Sequence, residues 1–256
     1  MLKNKVIFLD IDGTLVDRTL QVPESAAEAI KKAKANGHKL YLNTGRSRCQ
    51  VFDHIWEVGF EGFIGGNGIY IEEHGKELFH RPIPEVLTDK VIEYLEENKN
   101  GFFVENNISL YANQNYLPSL ARLMNFSVED ALKWTTRVFP STTFNCTEWH
   151  MDANKISVVL TEDVDIEKLK QFISPELTLG LWNMSSRKRG FADIFQDGTS
   201  KGKAVKFIMN RLGKPLEDAY SFGDSDNDIE MIETTGIGVA MGNAIPQLKD
   251  VADHIT

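Results

Sequence analysis

The apolar positions of the opening third of the chain switch repeatedly between two spacings. Val6-Ile7-Phe8-Leu9 is a continuous apolar run and predicts a buried strand. Residues 24–36 place apolar or alanine positions at helical spacing and end at Gly37, which predicts a helix. The unit then repeats, with Lys39-Leu40-Tyr41-Leu42 as a strand, 47–58 as a helix ended by Gly59, and Phe63-Ile64 as a third short strand. Residues 69–73 and 77–79 flank His74-Gly75 and predict a hairpin. Strands alternating with helices imply an α/β fold with a Rossmann-like, mostly parallel sheet and helices on both faces. Its ligands are expected at the carboxyl ends of the strands.

The texture changes at Arg81-Pro82-Ile83-Pro84, where two prolines interrupt the pattern. Residues 86–98 form an amphipathic helix with Leu87, Val91, Tyr94 and Leu95 on one side. Strands at 102–104, 109–111 and 156–160 and helices at 117–124, 128–134 and 166–172 follow without regular βα order. Beyond Ser185-Ser186-Arg187-Lys188-Arg189-Gly190 the alternation resumes, with strands at 191–195, 219–222 and 237–240 and helices at 201–212 and 229–233. The chain therefore reads as a core made of 1–81 and 190–256, interrupted by an inserted α/β domain at 82–189. Hinges are expected near 81–85 and 185–190.

Composition narrows the function. With 256 residues and 42% hydrophobic content, a core can form without disulfides or structural metals. The 28 Lys+Arg against 37 Asp+Glu give a net charge of -9, which argues against a general nucleic-acid or anionic-membrane binder. An anionic small substrate would need local cations. Cys49 and Cys146 are too few for a disulfide framework, so free thiols in the cytoplasm are expected. The apolar run before Asp10 is too short for a signal-peptide core, and no run reaches the ~18 apolar residues of a membrane span. No obligate protein partner is evident. The six histidines show no metal-site spacing, and Trp134, Trp149 and Trp182 are expected to fill the insertion's core.

Chemistry concentrates at strand ends. Asp10-Ile11-Asp12-Gly13-Thr14 puts two carboxylates directly after the first buried strand, and Phe222-Gly223-Asp224-Ser225-Asp226-Asn227-Asp228 puts three aspartates after a late one. Close acids repel unless a cation sits among them. If the two strand ends are neighbours, Asp10 and Asp224 face one crevice, and such oxygen donors suit Mg²⁺. Thr44-Gly45 closes the second strand before a predicted helix, where its hydroxyl and backbone N–H groups fit a phosphoryl oxygen or a plain N-cap. Lys201 opens a helix, a position the macrodipole disfavours for a cation. Arg46 and Asn67 both follow core strands and are candidates for contact with substrate.

In this order, Asp10-Ile11-Asp12-Gly13-Thr14, Thr44-Gly45-Arg46, Lys201-Gly202 and Gly223-Asp224 with Asn227-Asp228 resemble the four motifs of the haloacid dehalogenase superfamily. The insertion, with Gly66-Asn67-Gly68, Ser200-Lys201-Gly202 and Ala240-Met241-Gly242-Asn243-Ala244, looks like the Cof-type (IIB) phosphatases. The resemblance implies that Asp10 attacks phosphorus and that Asp12 acts as acid and base. It implies Mg²⁺ held by the Asp10 carboxylate, the Asp12 backbone carbonyl and Asp224, with Asp228 on a metal-bound water. Thr44, Gly45 and Lys201 would hold the phosphoryl oxygens, with Asn227 a further candidate. The insertion would be a cap that closes over the site and selects a small phosphorylated metabolite such as a sugar phosphate. Two other readings share these residues: a sugar phosphomutase of the same fold, and a non-catalytic Mg²⁺-binding regulatory module.

Overall fold

The structure is a computed structural model that describes residues 4–17, 19–147, 149, 152–182 and 190–256. In chain order the opening elements are β1 (Val6–Leu9), α1 (Glu24–Ala35), β2 (Lys39–Asn43), α2 (Asp53–Trp56), β3 (Gly62–Gly65), β4 (Tyr70–Glu73) and β5 (Lys76–His80). Next come α3 (Glu85–Glu97), β6 (Phe102–Glu105), β7 (Leu110–Ala112), α4 (Tyr116–Met124), α5 (Val128–Val138), β8 (Thr142–Thr143), β9 (Lys155–Val159), α6 (Ile166–Ile173), β10 (Thr178–Leu181) and β11 (Phe191–Phe195). The chain finishes with α7 (Lys201–Arg211), β12 (Ala219–Gly223), α8 (Ile229–Thr234), β13 (Ile237–Ala240), α9 (Pro246–Val251) and β14 (His254–Ile255).

Two compact units result: Met1–Arg46, Val51–His80 and Thr199–Thr256 form one, and Ser47–Gln50 with Arg81–Gly198 form the other. The first is built on a sheet ordered β14-β13-β12-β1-β2-β3-β4-β5, parallel from β14 to β3 and antiparallel over β4 and β5. Alternate side chains of its buried strands serve opposite faces, as the period of two requires. Leu40 and Leu42 pack with Ile11, Ile30, Ile55 and Phe63, whereas Tyr41 joins Val6, Phe8, Ile208 and Met231. Sequence order runs one way from β1 to β3 and the other way from β12 to β14. The switch point therefore falls between β1 and β12, where ligands of such sheets bind.

The second unit is a sheet ordered β10-β11-β9-β6-β7-β8, antiparallel except for β7 with β8. Val91, Leu95 and Leu169 cover one face against Phe102, Ile156 and Ile194, and Tyr116, Leu120 and Ala131 cover the other against Phe103, Val159 and Phe191. Trp149 lies against Phe102, Trp134 against Phe139 and Trp182 against Phe191, so these indoles fill core as expected.

Two expectations need correction. The boundary at 190 is displaced, because β11 pairs antiparallel with both β9 and β10 and sends Phe191 and Ile194 into the two cores of the second unit. The basic run at 185–189 lies outside the described residues. Nor is 47–58 one helix: a 3-10 turn over Arg48–Gln50 precedes the single turn of α2. The Ser47 N–H donates to Gln50 Oε1 (2.8 Å) and Glu105 Oε1 (3.2 Å), so side chains capture the segment before a helix can propagate. The short strands β8, β10 and β14 and helix α9 were not anticipated, and α5 runs one turn further than its pattern showed.

Candidate active site

Register places the two acidic motifs side by side. Leu9 of β1 pairs with Phe222 of β12, and the Asp10 N–H donates to the Phe222 carbonyl at 3.1 Å. Both chains then leave the sheet at the same end. Gly13 turns the first of them with φ +82°, and the place where its Cβ would stand is taken by the Asp224 carboxylate. Only glycine combines that conformation with so close an approach.

Lys201 is the hub. Ser200 caps α7 by accepting from the Lys203 N–H, and the first residue after that cap is a lysine that is fully buried. Its Nζ donates to Asp10 Oδ1 and to Asp228 Oδ1, each at 2.6 Å. Asp228 Oδ2 accepts from the N–H groups of Asp224 (2.9 Å) and Ser225 (3.0 Å), which folds the turn after β12 around it. Asp224 receives the Thr14 hydroxyl at 3.3 Å and the Asn243 amide at 3.4 Å, and that amide also donates to the Gly13 carbonyl at 3.0 Å.

Charge in this cluster is unbalanced. Asp10, Asp224 and Asp228 each offer an oxygen, all within 4.8 Å of one another, and one lysine faces them. Burial pushes Asp10 up to about 8; Lys201 opposes this, and the charges of Asp228 and Asp12 add to it. Asp224 is pushed up to about 6, again first by burial and then by Asp228. For Lys201 burial works against the charge, yet the attraction of Asp10 and Asp228 outweighs it and holds the amine above its ordinary value. Three clustered carboxylate oxygens with an excess of negative charge could hold a hard divalent cation.

Asp12 stands apart. Its carboxylate is half exposed and gripped through both oxygens by Arg46, Nε to Oδ2 at 2.6 Å and Nη2 to Oδ1 at 2.7 Å. The Thr44 hydroxyl oxygen accepts from the Arg46 N–H at 3.2 Å, and the Thr44 carbonyl accepts from the Asn67 N–H at 3.0 Å. Asn227 Nδ2 donates to Asn67 Oδ1 at 3.0 Å, and a Cβ on Gly45 would lie 3.3 Å from that same Asn67 oxygen. Thus Thr44, Gly45, Arg46, Asn67 and Asn227 gather in one patch, with Asp12 joined to it by Arg46. Asp10, Lys201, Asp224 and Asp228 gather in the other.

Residues 7–256 also match a known family, the haloacid dehalogenase-like hydrolases. The chain belongs to that family. Among its relatives is the pyridoxal phosphate phosphatase YbhA of Escherichia coli, 28% identical, with the match covering 98% of this chain and 92% of YbhA. Among solved structures, a hypothetical protein of Geobacillus kaustophilus superposes with a TM-score of 0.83 at 27% identity, covering 99% of this chain and 93% of the other. The subclass IIB sugar phosphatase BT4131 superposes at 0.73 and 26% identity, with 99% and 93% covered. The family's hydrolase chemistry and its α/β fold are therefore those of this chain. Among the described residues no helix is long and apolar enough to cross a membrane.

Sequence reading had missed Thr14, Ser225 and Asn243. Ser225 stood three residues before Asp228 in the spacing of a capping box, a signal that was available. Thr14 and Asn243 lay inside quoted motifs, but they reach Asp224 from 210 and 19 residues away, and no local pattern records that.

Proposed function

We propose that the protein is a Mg²⁺-dependent phosphomonoester hydrolase acting on small phosphorylated metabolites, sugar phosphates foremost, through an aspartyl-phosphate. The observation that carries this reading is the Lys201 ammonium bonded to Asp10 at the switch point of the sheet, with Asp224 and Asp228 beside it. The Lys201 bond fixes Asp10 through Oδ1, and Oδ2 takes no hydrogen bond from the described residues. That oxygen attacks phosphorus. The bond from phosphorus to the ester oxygen breaks as Asp12 gives a proton to the leaving oxygen, so the alcohol departs neutral. In the second half Asp12, now a carboxylate, takes a proton from water, whose oxygen attacks phosphorus. The acyl-phosphate bond then breaks, which restores Asp10 and releases inorganic phosphate.

Asp10, Asp224 and Asp228 would hold the ion, joined by the Asp12 backbone carbonyl. When bound, it supplies positive charge against the phosphoryl oxygens. Lys201, Thr44 and the Gly45 N–H orient those oxygens, and this positioning is most of what phosphoryl transfer asks of a protein. Arg46 grips Asp12 in this structure, and its guanidinium fork suits a phosphoryl oxygen or leaving group equally well. Asn67 and Asn227 line the substrate side. Support for the substrate class comes from the relatives, one a pyridoxal phosphate phosphatase and one a sugar phosphatase.

The test is phosphate release from an aryl phosphate and a panel of sugar, nucleotide and cofactor phosphates, with Mg²⁺ and with chelator. Mg²⁺-dependent release that vanishes in Asp10→Asn is expected. Folded, Mg²⁺-loaded protein that releases phosphate from none of them would overturn the reading.

A further inference from the structure

Asn43 is the last residue of β2 and stands directly before Thr44, yet its side chain turns away from the substrate patch. It is fully buried. Its Nδ2 donates to the backbone carbonyl of Lys201 at 3.1 Å and lies 3.3 Å from Met231 Sδ. Its Oδ1 has no hydrogen-bond partner among the described residues. Reversing the amide would set two carbonyl oxygens against each other, so the Lys201 contact decides its orientation. A buried carbonyl without a donor is destabilising, and an apolar side chain of similar shape would avoid that penalty. The amide is thus poorly explained by packing and well explained by what its N–H groups hold.

What they hold is the first residue of α7. A lysine places its ammonium through four rotatable bonds, so the seat of Nζ between Asp10 and Asp228 depends on where that first turn is anchored. Gly68 constrains the same turn from another side: with φ +92°, a Cβ there would lie 2.6 Å from the Ser200 carbonyl oxygen. We infer that Asn43 is a positioning residue that sets the Lys201 ammonium for phosphoryl transfer through the Lys201 backbone, an inference that deepens the phosphatase reading and rests on it.

Asn43→Leu removes the donor and the orphaned oxygen together. Its melting temperature should equal or exceed that of the wild type, while kcat/KM falls about 10- to 100-fold, the scale of a misplaced group. In a Lys201→Met background the same change should cost nothing further, since two residues acting through one contact are not additive. A readout that needs no turnover is the ¹⁵Nζ resonance of Lys201, which should shift in Asn43→Leu. That arm separates the two claims, because a wild type without phosphatase activity would sink the function while the resonance still judges the positioning. A lowered melting temperature with kcat/KM and resonance retained would make Asn43 merely structural and overturn the inference. So would a full, additive loss in the Lys201→Met background. Should leucine overfill the site, Asn43→Ala is read by the same criteria.

Discussion

Replacing Asp10 with asparagine removes the proposed nucleophile, and the structure says it should also make the metal-free protein more stable. Asp10 is pushed from the ordinary 3.8 up to about 8, chiefly by burial. Between those values the folded state holds a proton that the unfolded chain has released, so stability falls as pH rises through the window and levels off above it. The slope is about 1.4 kcal/mol per pH unit for one group. Asparagine has the same shape, accepts from Lys201 and carries no charge. Relative to the wild type in chelator, Asp10→Asn should therefore gain under 2 kcal/mol at pH 5 and about 5 kcal/mol at pH 8. For a chain of this size that is a rise of a few degrees at pH 5 and roughly 10–20 °C at pH 8. Mg²⁺ should narrow the gap at pH 8 without closing it: a concentration 100 times the wild type's Kd returns about 2.7 kcal/mol to the wild type, roughly half of the difference, and the mutant gains less. Thermal melts at both pH values, with chelator and with Mg²⁺, measure all of this. A mutant that melts at or below the wild type at pH 8 in chelator would refute the claim that unbalanced carboxylates are stored at this site for function.

Asp12→Asn should lower phosphate release by about 10²–10⁴-fold, the usual worth of an acid-base group. Mg²⁺ affinity should stay unchanged, because the Asp12 carboxylate lies outside the cluster, and stability should move by less than about 1 kcal/mol, since its bond to Arg46 is half exposed. Parallel loss of Mg²⁺ binding, followed by calorimetry, would contradict that separation. Lys201→Met strands Asp10 and Asp228 and should cost about 3–5 kcal/mol at pH 8 in chelator. A Lys201→Met protein that melts together with the wild type would speak against the pairing.

Helix and strand existence was largely legible because it is written in local spacing. The continuous run at β1, the glycine after α1 and the helical spacing of α3 and α7 are patterns that neighbouring residues make together. So were the positions of the candidate groups: Asp10, Asp12, Thr44, Lys201, Asp224 and Asp228 each sit at a strand end or helix start. What each group touches was not legible. Residues 47–58 carry a helical pattern, yet Glu105 and Gln50 take the Ser47 N–H first. Phe191–Phe195 reads the same whichever sheet it joins, and only pairing with β9 and β10 assigns it.

The sequence by itself determined that two acidic strand ends, a threonine-glycine turn and a helix-opening lysine occur in one α/β chain, since each is a local motif. Tertiary structure alone decided that β1 and β12 are neighbours, that Lys201 is buried between Asp10 and Asp228, and that Asp12 turns to Arg46. It also decided that Asn43 reaches the Lys201 carbonyl and that Thr14 and Asn243 reach Asp224. These are contacts between residues far apart in the chain. Their energy exists only once the sheet brings them within a few ångströms in a dry interior, so no stretch of sequence records them.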